Sequence, residues 1–249
     1  MRKVCIINQK GGVGKTTTTI SLAAGLAQKK KKVLILDLDP QGNINTSFCM
    51  PAEKHMYHLL VEDADPRECI VRITDFLHII PSDSSISKAE MIMIGQPSRE
   101  TILRRAMAEV QDYDYIIVDC PPSINLLNQN ALLYCNEAFI PVSTEYLSLD
   151  ALRKMEATID EINHLFNHNI HISMIIPTMY DKRIRSSIEV LRDIKKGYNG
   201  VVSPPIRVNS KLKEAPGESK TIYEYAKRSR GAEDYLKLTD RVIEREYFN

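Results

Sequence analysis

Hydrophobic residues come along this chain in two rhythms. Six short apolar runs, "KVCIIN" (3 to 8), "KVLILD" (32 to 37), "FLHIIP" (76 to 81), "YIIVDC" (115 to 120), "AFIPV" (138 to 142) and "HISMIIP" (171 to 177), are rich in Val and Ile. Such runs predict strands buried on both faces. Between them lie longer stretches, 16 to 30, 99 to 111, 124 to 134, 150 to 167, 183 to 196 and 231 to 246, in which apolar residues recur at three- and four-residue steps. That spacing predicts amphipathic helices; in the last stretch Ala232, Tyr235, Leu236, Val242 and Ile243 share one face. Strands alternating with helices predict an α/β fold, a mostly parallel twisted sheet with helices on both faces.

No repeat, low-complexity segment or Pro/Gly/Ser linker divides the chain, so residues 1 to 249 read as one domain. The least regular part, 197 to 226, holds three of the twelve prolines, and so long a connection in a compact domain points to function. Charge adds a second contrast. The net charge is only +1, yet residues 182 to 230 carry thirteen Lys or Arg against five Asp or Glu, a local excess of +8. The five cysteines, Cys5, Cys49, Cys69, Cys120 and Cys135, show no C-x-x-C spacing and mostly have apolar neighbours. They read as buried thiols in a reducing compartment, without a structural disulfide. The first apolar run is too short for a signal peptide, and no window approaches the roughly 18 apolar residues of a membrane span. The expected location is cytoplasmic.

The candidate chemistry begins where the first strand ends. "VCIINQKGGVGKTT" is a strand, a glycine loop and a helix start, the context in which a loop wraps phosphates with backbone N–H groups and a helix N-terminus. Lys15 is placed to reach the β- and γ-phosphates, and the Thr16 hydroxyl to ligate Mg²⁺. The regular spacing G-x-x-x-x-G-K-[ST] requires glycine at position 9, where this chain has Gln9. Two further acidic positions follow. Asp37 and Asp39 alternate at the end of the second predicted strand and share a face, facing the glycine loop if the two strands are neighbours. The turn residues of "DPQGN" also fit a purely structural reading. Asp119 closes the run "YIIVD", where a carboxylate beside the loop can hold Mg²⁺ through water.

The octet K-G-G-V-G-K-T-T, residues 10 to 17, resembles the deviant Walker A family of ATPases, which includes ParA, Soj and MinD. "DLDPQG" and "DCPPS" match the family's other nucleotide elements in order, and the resemblance continues through "PTMYD" (177 to 181) into the tail. It implies a P-loop NTPase fold, ATP and Mg²⁺ as cofactors, and ATP hydrolysis to ADP and phosphate, weak without a partner. Lys10, Gly11, Gly12, Val13, Gly14, Lys15, Thr16 and Thr17 then cradle the nucleotide. Thr16, Asp39 and Asp119 form the metal set, with Asp39 orienting the attacking water and Asp37 in support. The early lysine, Lys10, is implied to act in trans, reaching the other subunit's phosphates when two subunits close face to face over two ATPs. Its physical role is then that of an arginine finger.

The stretch "NSKLKEAPGESKTIYEYAKRSRGAEDYLKL" resembles the C-terminal part of chromosomal ParA (Soj) proteins. The resemblance implies non-specific binding of double-stranded DNA by the ATP dimer through Lys211, Arg228 and Arg230, and nucleoid association in that state. The local +8 agrees, because phosphate contacts supply non-specific affinity. A ParB-like partner is implied to stimulate hydrolysis and release. The start of the loop at residue 10 matches the short form of the family. Two departures stand out. The family's "IPRN" is "IRVN" here, with Arg207 displaced and Val208 in the arginine's place, and the glycine expected to end the first helix is Lys30. Three other readings stay open, the first a ParA-like positioner of a protein cargo. A MinD-like membrane cycle requires a free cationic amphipathic helix at the C-terminus, and a nitrogenase reductase-like protein requires a bridging iron–sulfur cluster, for which Cys120 and Cys135 are the candidates.

Overall fold

The structure is a computed structural model and describes residues 1–123 and 125–247. Seven strands form one sheet: β1 (Arg2–Ile6), β2 (Val33–Asp37), β3 (Val71–Arg72), β4 (Leu77–Ile80), β5 (Tyr115–Asp119), β6 (Glu137–Ser143) and β7 (His171–Thr178). Their order is β3-β4-β2-β5-β1-β6-β7, parallel throughout except for the β3–β4 pair. All six predicted strands are present. The two-residue β3 carries too short a pattern to read from sequence.

The longer helices are α1 (Lys15–Gln28), α2 (Ile86–Ile94), α3 (Leu126–Tyr134), α4 (Ser148–Phe166), α5 (Arg185–Gly197) and α6 (Arg230–Glu244). Alternation along the strands divides the core. Val4, Ile6, Ile35 and Ile117 face one side and pack with α1 and α6, while Cys5, Ile7, Leu36 and Val118 face the other and pack with α2, α3 and α4. Helices therefore cover both faces, as the parallel topology demands.

α1 and α6 approach unusually closely. A Cβ added at Gly25 would lie 2.3 Å from Thr239 Oγ1 and 2.8 Å from Tyr223 Oη, so glycine leaves room for these two side chains against α1. Thr18 Oγ1 and Tyr235 Oη, 3.0 Å apart, join the same two helices near the start of α1. The buried face of α6, which includes Ala232, Tyr235, Leu238 and Val242, is thus taken up by the protein's own core.

Three expectations are corrected or completed. The helix expected over 99 to 111 is a single 3₁₀ turn (Arg99–Thr101) followed by Ile102–Ala106. Beyond Ala106 the chain leaves the helix in tight turns, with Ala108 N donating to Arg105 O and Val110 N to Met107 O, and Met107 and Val110 still enter the core. α2 was not anticipated, although Ile86, Ala89 and Met93 have helical spacing and are its buried face. The helix expected from 124 begins at Leu126; Ile124, like Phe248 and Asn249 of the tail, lies outside the described residues.

Lys30 adopts the left-handed conformation, φ 60°, that the missing glycine would have taken. Lys30 N donates to Ala27 O and Lys31 N to Leu26 O, the paired bonds of a Schellman termination. The backbone demand survived the loss of the residue that meets it most easily.

Candidate nucleotide and nucleic-acid sites

Asp119 sits at the C-terminal end of β5, the strand between β1 and β2, in register with Ile6 on one side and Asp37 on the other. β1 and β2 are therefore not neighbours, and β5 places its own carboxylate between the glycine loop and Asp37. The condition attached to the shared face of Asp37 and Asp39 is not met. β2 ends at Asp37, and its Oδ1 accepts the backbone N–H of Asp39 at 3.0 Å, turning the chain so that Asp39 begins the following loop.

The loop from Ile7 to Gly14 owes its shape to left-handed residues and to anchors on distant strands. Gly12 and Gly14 have φ of 72° and 89°, values that favour glycine. Asn8 Nδ2 donates to Pro141 O of β6, and Thr178 Oγ1 of β7 donates to Val13 O at 2.8 Å. Sequence reading missed both anchors, since nothing local marks a residue whose role is to fix a loop about 130 to 165 positions away. An added Cβ at Gly11, Gly12 or Gly14 would meet nothing within 4 Å, so no neighbouring group crowds the loop at these positions.

Within "KTTTT" the helical turn assigns each threonine separately. Thr16 Oγ1 donates to Asp119 Oδ2 and Thr19 Oγ1 to Asp119 Oδ1, both at 2.8 Å, whereas Thr18 turns to Tyr235. Residues 16 and 19 share a helix face, and that spacing is the signal by which Thr19 could have been found. Lys15 is buried, with Nζ 3.4 Å from Lys10 O. Thr17 lies half-buried in the same first turn.

Burial governs the electrostatics. It pushes Asp119 up to about 7; the Thr16 and Thr19 hydroxyls pull the other way and the Asp39 carboxylate adds to the rise. Asp37 is raised well above the usual carboxylate range, first by burial and then by the charge of Asp119. Burial also lowers Lys15, opposed chiefly by Asp119. Asp37 Oδ2 is buried without a hydrogen-bond partner among the described residues.

These groups fit a magnesium nucleotide. Hard oxygen donors from Thr16, Asp119 and the nearby Asp39 suit Mg²⁺, which is held by one or two carboxylates together with phosphate oxygens. No cluster of three or more His, Cys, Asp or Glu that could cage a metal by itself occurs among the described residues. The glycine loop, Lys15 and the α1 N-terminus suit the phosphates.

Lys10 points elsewhere. Its Nζ lies 2.6 Å from Glu145 Oε2 and 3.3 Å from Ser143 Oγ, just beyond and at the end of β6. This bond holds the Glu145 carboxyl below its ordinary range. Gln9, the position that breaks the regular motif, donates to Thr158 of α4. On the far side of the loop, residues 206 to 208 run beside 177 to 180: Ile206 N donates to Pro177 O and Val208 N to Tyr180 O.

The three basic candidates gather about the start of α6. Arg228 and Arg230 are exposed, Arg230 being the first residue of that helix. The short helix Lys211–Glu214 docks there because Leu212 packs on Gly231, where an added Cβ would come within 2.8 Å of the leucine. Lys211 Nζ is paired with Glu214 Oε2 at 2.6 Å and lies over the Tyr225 ring. Arg207 is not available as a surface cation. Its guanidinium is clamped by Asp234 and Glu233 of α6, and Val208, in the family arginine's place, is 60% exposed.

Two open readings lose their physical basis among the described residues. The apolar face of α6 is packed in the core and so is not free to lie on a membrane; no described helix is long and apolar enough to cross one. Cys120 and Cys135 are fully buried, with the Cys5 thiol against both, and cannot bridge a cluster to a second subunit. All five cysteines are free.

The family model AAA_31, an AAA domain, matches residues 1–172. The sporulation initiation inhibitor protein Soj of Bacillus subtilis is 41% identical over 245 residues, covering 96% of this chain and 97% of that protein. The chromosome-partitioning ATPase Soj of Thermus thermophilus is 37% identical, covering 98% and 96%. Among solved structures, cobyrinic acid a,c-diamide synthase from Mycobacterium smegmatis, with a bound ATP analogue and magnesium, superposes with a TM-score of 0.85 at 29% identity. That match covers 99% of this chain and 96% of that one.

Proposed function

The chain belongs to the AAA_31 family and to the ParA/Soj-type deviant Walker A ATPases within it, and from that premise we propose that it is an ATP-driven DNA-partitioning switch. Its cofactors are ATP and Mg²⁺. It hydrolyses ATP to ADP and phosphate, closes as a homodimer when ATP binds, holds double-stranded DNA without sequence preference in that state, and is released when a ParB-like partner stimulates hydrolysis. The protein is cytoplasmic and joins the nucleoid in the ATP state.

The observation that carries this reading is the convergence of Lys15, Thr16 and Asp119 at the end of the central strand, beneath a glycine loop. Lys15 binds the β- and γ-phosphates while Gly11 to Thr17 wrap them. Thr16 and Asp119, now hydrogen-bonded to each other, would hold Mg²⁺, with Asp39 adjacent. Bound Mg²⁺ neutralises charge on the β- and γ-phosphate oxygens. Asp39, buried and close enough for its charge to act on Asp119 and Lys15, orients the attacking water. Lys10 leaves Glu145 and crosses to the second subunit's phosphates, so that hydrolysis requires the dimer.

For DNA, Arg228 and Arg230 flank the N-terminus of α6. A cation there opposes the helix dipole by a few tenths of a kcal/mol, a cost that phosphate binding at the same helix end reverses. Lys211 joins them once Glu214 gives way. α6 is packed on α1, the helix that begins at the phosphates, which supports coupling between the two sites.

Mobility shifts on duplexes of unrelated sequence, with ATP, ADP or no nucleotide and at several salt concentrations, test the proposal. The expected result is retention with ATP and Mg²⁺ only, falling steeply with salt. Equal binding without nucleotide would overturn the switch.

A further inference from the structure

The phosphate loop reaches α6 by two routes. One runs through α1, whose Thr18 meets Tyr235 in the body of α6. The other runs sideways over β7. Thr178 Oγ1 donates to Val13 O of the loop at 2.8 Å, and the segment 206 to 208 is laddered onto the end of the same strand. Ile206 N donates to Pro177 O at 2.7 Å, Tyr180 N to Ile206 O at 3.0 Å and Val208 N to Tyr180 O at 3.1 Å. Between Ile206 and Val208, Arg207 directs both its backbone N–H and its guanidinium at α6.

Arg207 N and Nε each donate to Asp234 Oδ2 at 2.9 Å, and Nη2 donates to Asp234 Oδ1 at 2.6 Å and to Glu233 Oε2 at 2.7 Å. Asp234 is 5% exposed. A carboxylate so buried is tolerated when it is paired and hydrogen-bonded, so the start of α6 is held where Arg207 meets it. Asp234 follows Arg230, the first residue of α6, by one helical turn, and fixing one fixes the backbone of the other. Arg207 stands where the family's "IPRN" has proline. Proline has neither the N–H nor the side chain for these bonds, so the tie belongs to this chain's departure from the motif.

We propose that Arg207 is a positioning residue: by tying the start of α6 to the segment that borders the phosphate loop, it sets Arg228 and Arg230 in the arrangement that answers to the nucleotide. It acts through Asp234 and Glu233 rather than on ATP or DNA itself, and the role rests on the reading of the chain as an ATP-dependent DNA binder. Charge alone makes a different prediction. Arg207→Ala removes a positive charge beside the basic residues and Asp234→Ala a negative one, so electrostatics shifts DNA affinity in opposite directions, with either nucleotide bound. Loss of the tie makes both substitutions act in the same direction, and on the nucleotide preference.

Dissociation constants for a duplex of arbitrary sequence are measured by fluorescence anisotropy with a non-hydrolysable ATP analogue or ADP, each with Mg²⁺. The full chain is compared with Arg207→Ala and with Asp234→Ala. The preference for DNA with the ATP analogue over ADP should fall at least about fivefold in both variants, the lower end of an ordinary coupling between sites. Affinity for the ATP analogue without DNA should be unchanged. Asp234→Ala leaves Arg207 its Glu233 partner, with 33% of the arginine side chain in solvent, whereas Arg207→Ala strands a buried carboxylate. Should melting show that Arg207→Ala does not fold, Arg207→Ala combined with Asp234→Ala replaces it, with the same fall expected and no net change of charge. A preference unchanged in either folded variant, or affinities that merely move in opposite directions, would overturn the positioning role and leave the switch standing. An unaltered protein that binds DNA equally with both nucleotides, or not at all, would overturn the switch and the positioning role with it.

Discussion

Around Asp119, the side chains are buried and held in place: Thr16 and Thr19 grip the carboxylate, Asp37 turns the chain at Asp39, and β6 and β7 pin the glycine loop. Around Arg230 the candidate contacts stand in solvent, and Lys211 and Arg207 already have acidic partners. The two regions are joined by α1 and α6 yet built to different degrees. A preorganised site of low dielectric binds its ligand strongly from one copy. Exposed cations are worth little singly and gain their effect by number, so the proposed nucleotide pocket is built within one copy, whereas the proposed DNA contacts gain from several.

The largest effect expected from breaking this contrast is on the nucleotide side. Asp39→Ala should slow phosphate release at least about 100-fold while ATP still binds, whereas Lys15→Ala should lose ATP binding itself. Equilibrium binding of a fluorescent ATP analogue separates the two. On the basic side, replacing Arg228 and Arg230 by Ala should weaken DNA binding about 10- to 100-fold and flatten the salt slope by about two for each chain. Lys211→Ala alone should change it by less than about threefold, because Glu214 already neutralises that lysine. A larger loss for Lys211→Ala would mean that the pair opens in the DNA complex at little cost.

A smaller effect follows from Asp119. Its proton, held up to about 7 by burial, must leave before Mg²⁺ can be held, so Mg²⁺ affinity should fall as pH drops below about 7, approaching tenfold per unit. The sign for stability is opposite in direction. A buried acid with a raised pKa binds more protons folded than unfolded, so the metal-free protein should lose stability as pH rises from about 4 to 7 and change little above. Melting temperatures across that range with and without Mg²⁺ and ATP separate the two trends. The smallest effect is at Lys30, outside both regions. Lys30→Gly should raise stability by about 0.5 to 1 kcal/mol, the net of left-handed strain and added freedom in the unfolded chain, with no change in ATP or DNA binding.

The order and face of the strands were legible because parallel strands buried on both sides are written as unbroken apolar runs. Lys30 was legible as a misplaced residue because a helix end has a fixed backbone demand. The candidate nucleotide end was readable where its residues are consecutive, in "KGGVGKTT", "DLDPQG" and "VDCPPS". Asn8, Glu145 and Thr178 escaped because their partners are set by sheet order, and sheet order also put β5 between β1 and β2. The basic segment was legible as charge, but not as pairing: Arg207 and Lys211 count alike in composition, and only the fold shows that acids on and near α6 hold them.

Lys10 belongs to neither region in the single subunit, since it is bonded to Glu145 on its own chain. The most direct test of its proposed role is the molar mass by light scattering, with ATP and Mg²⁺, of Asp39→Ala against Asp39→Ala combined with Lys10→Ala. The account predicts a dimer for the first and a monomer for the second. A dimer of equal stability in both would contradict it.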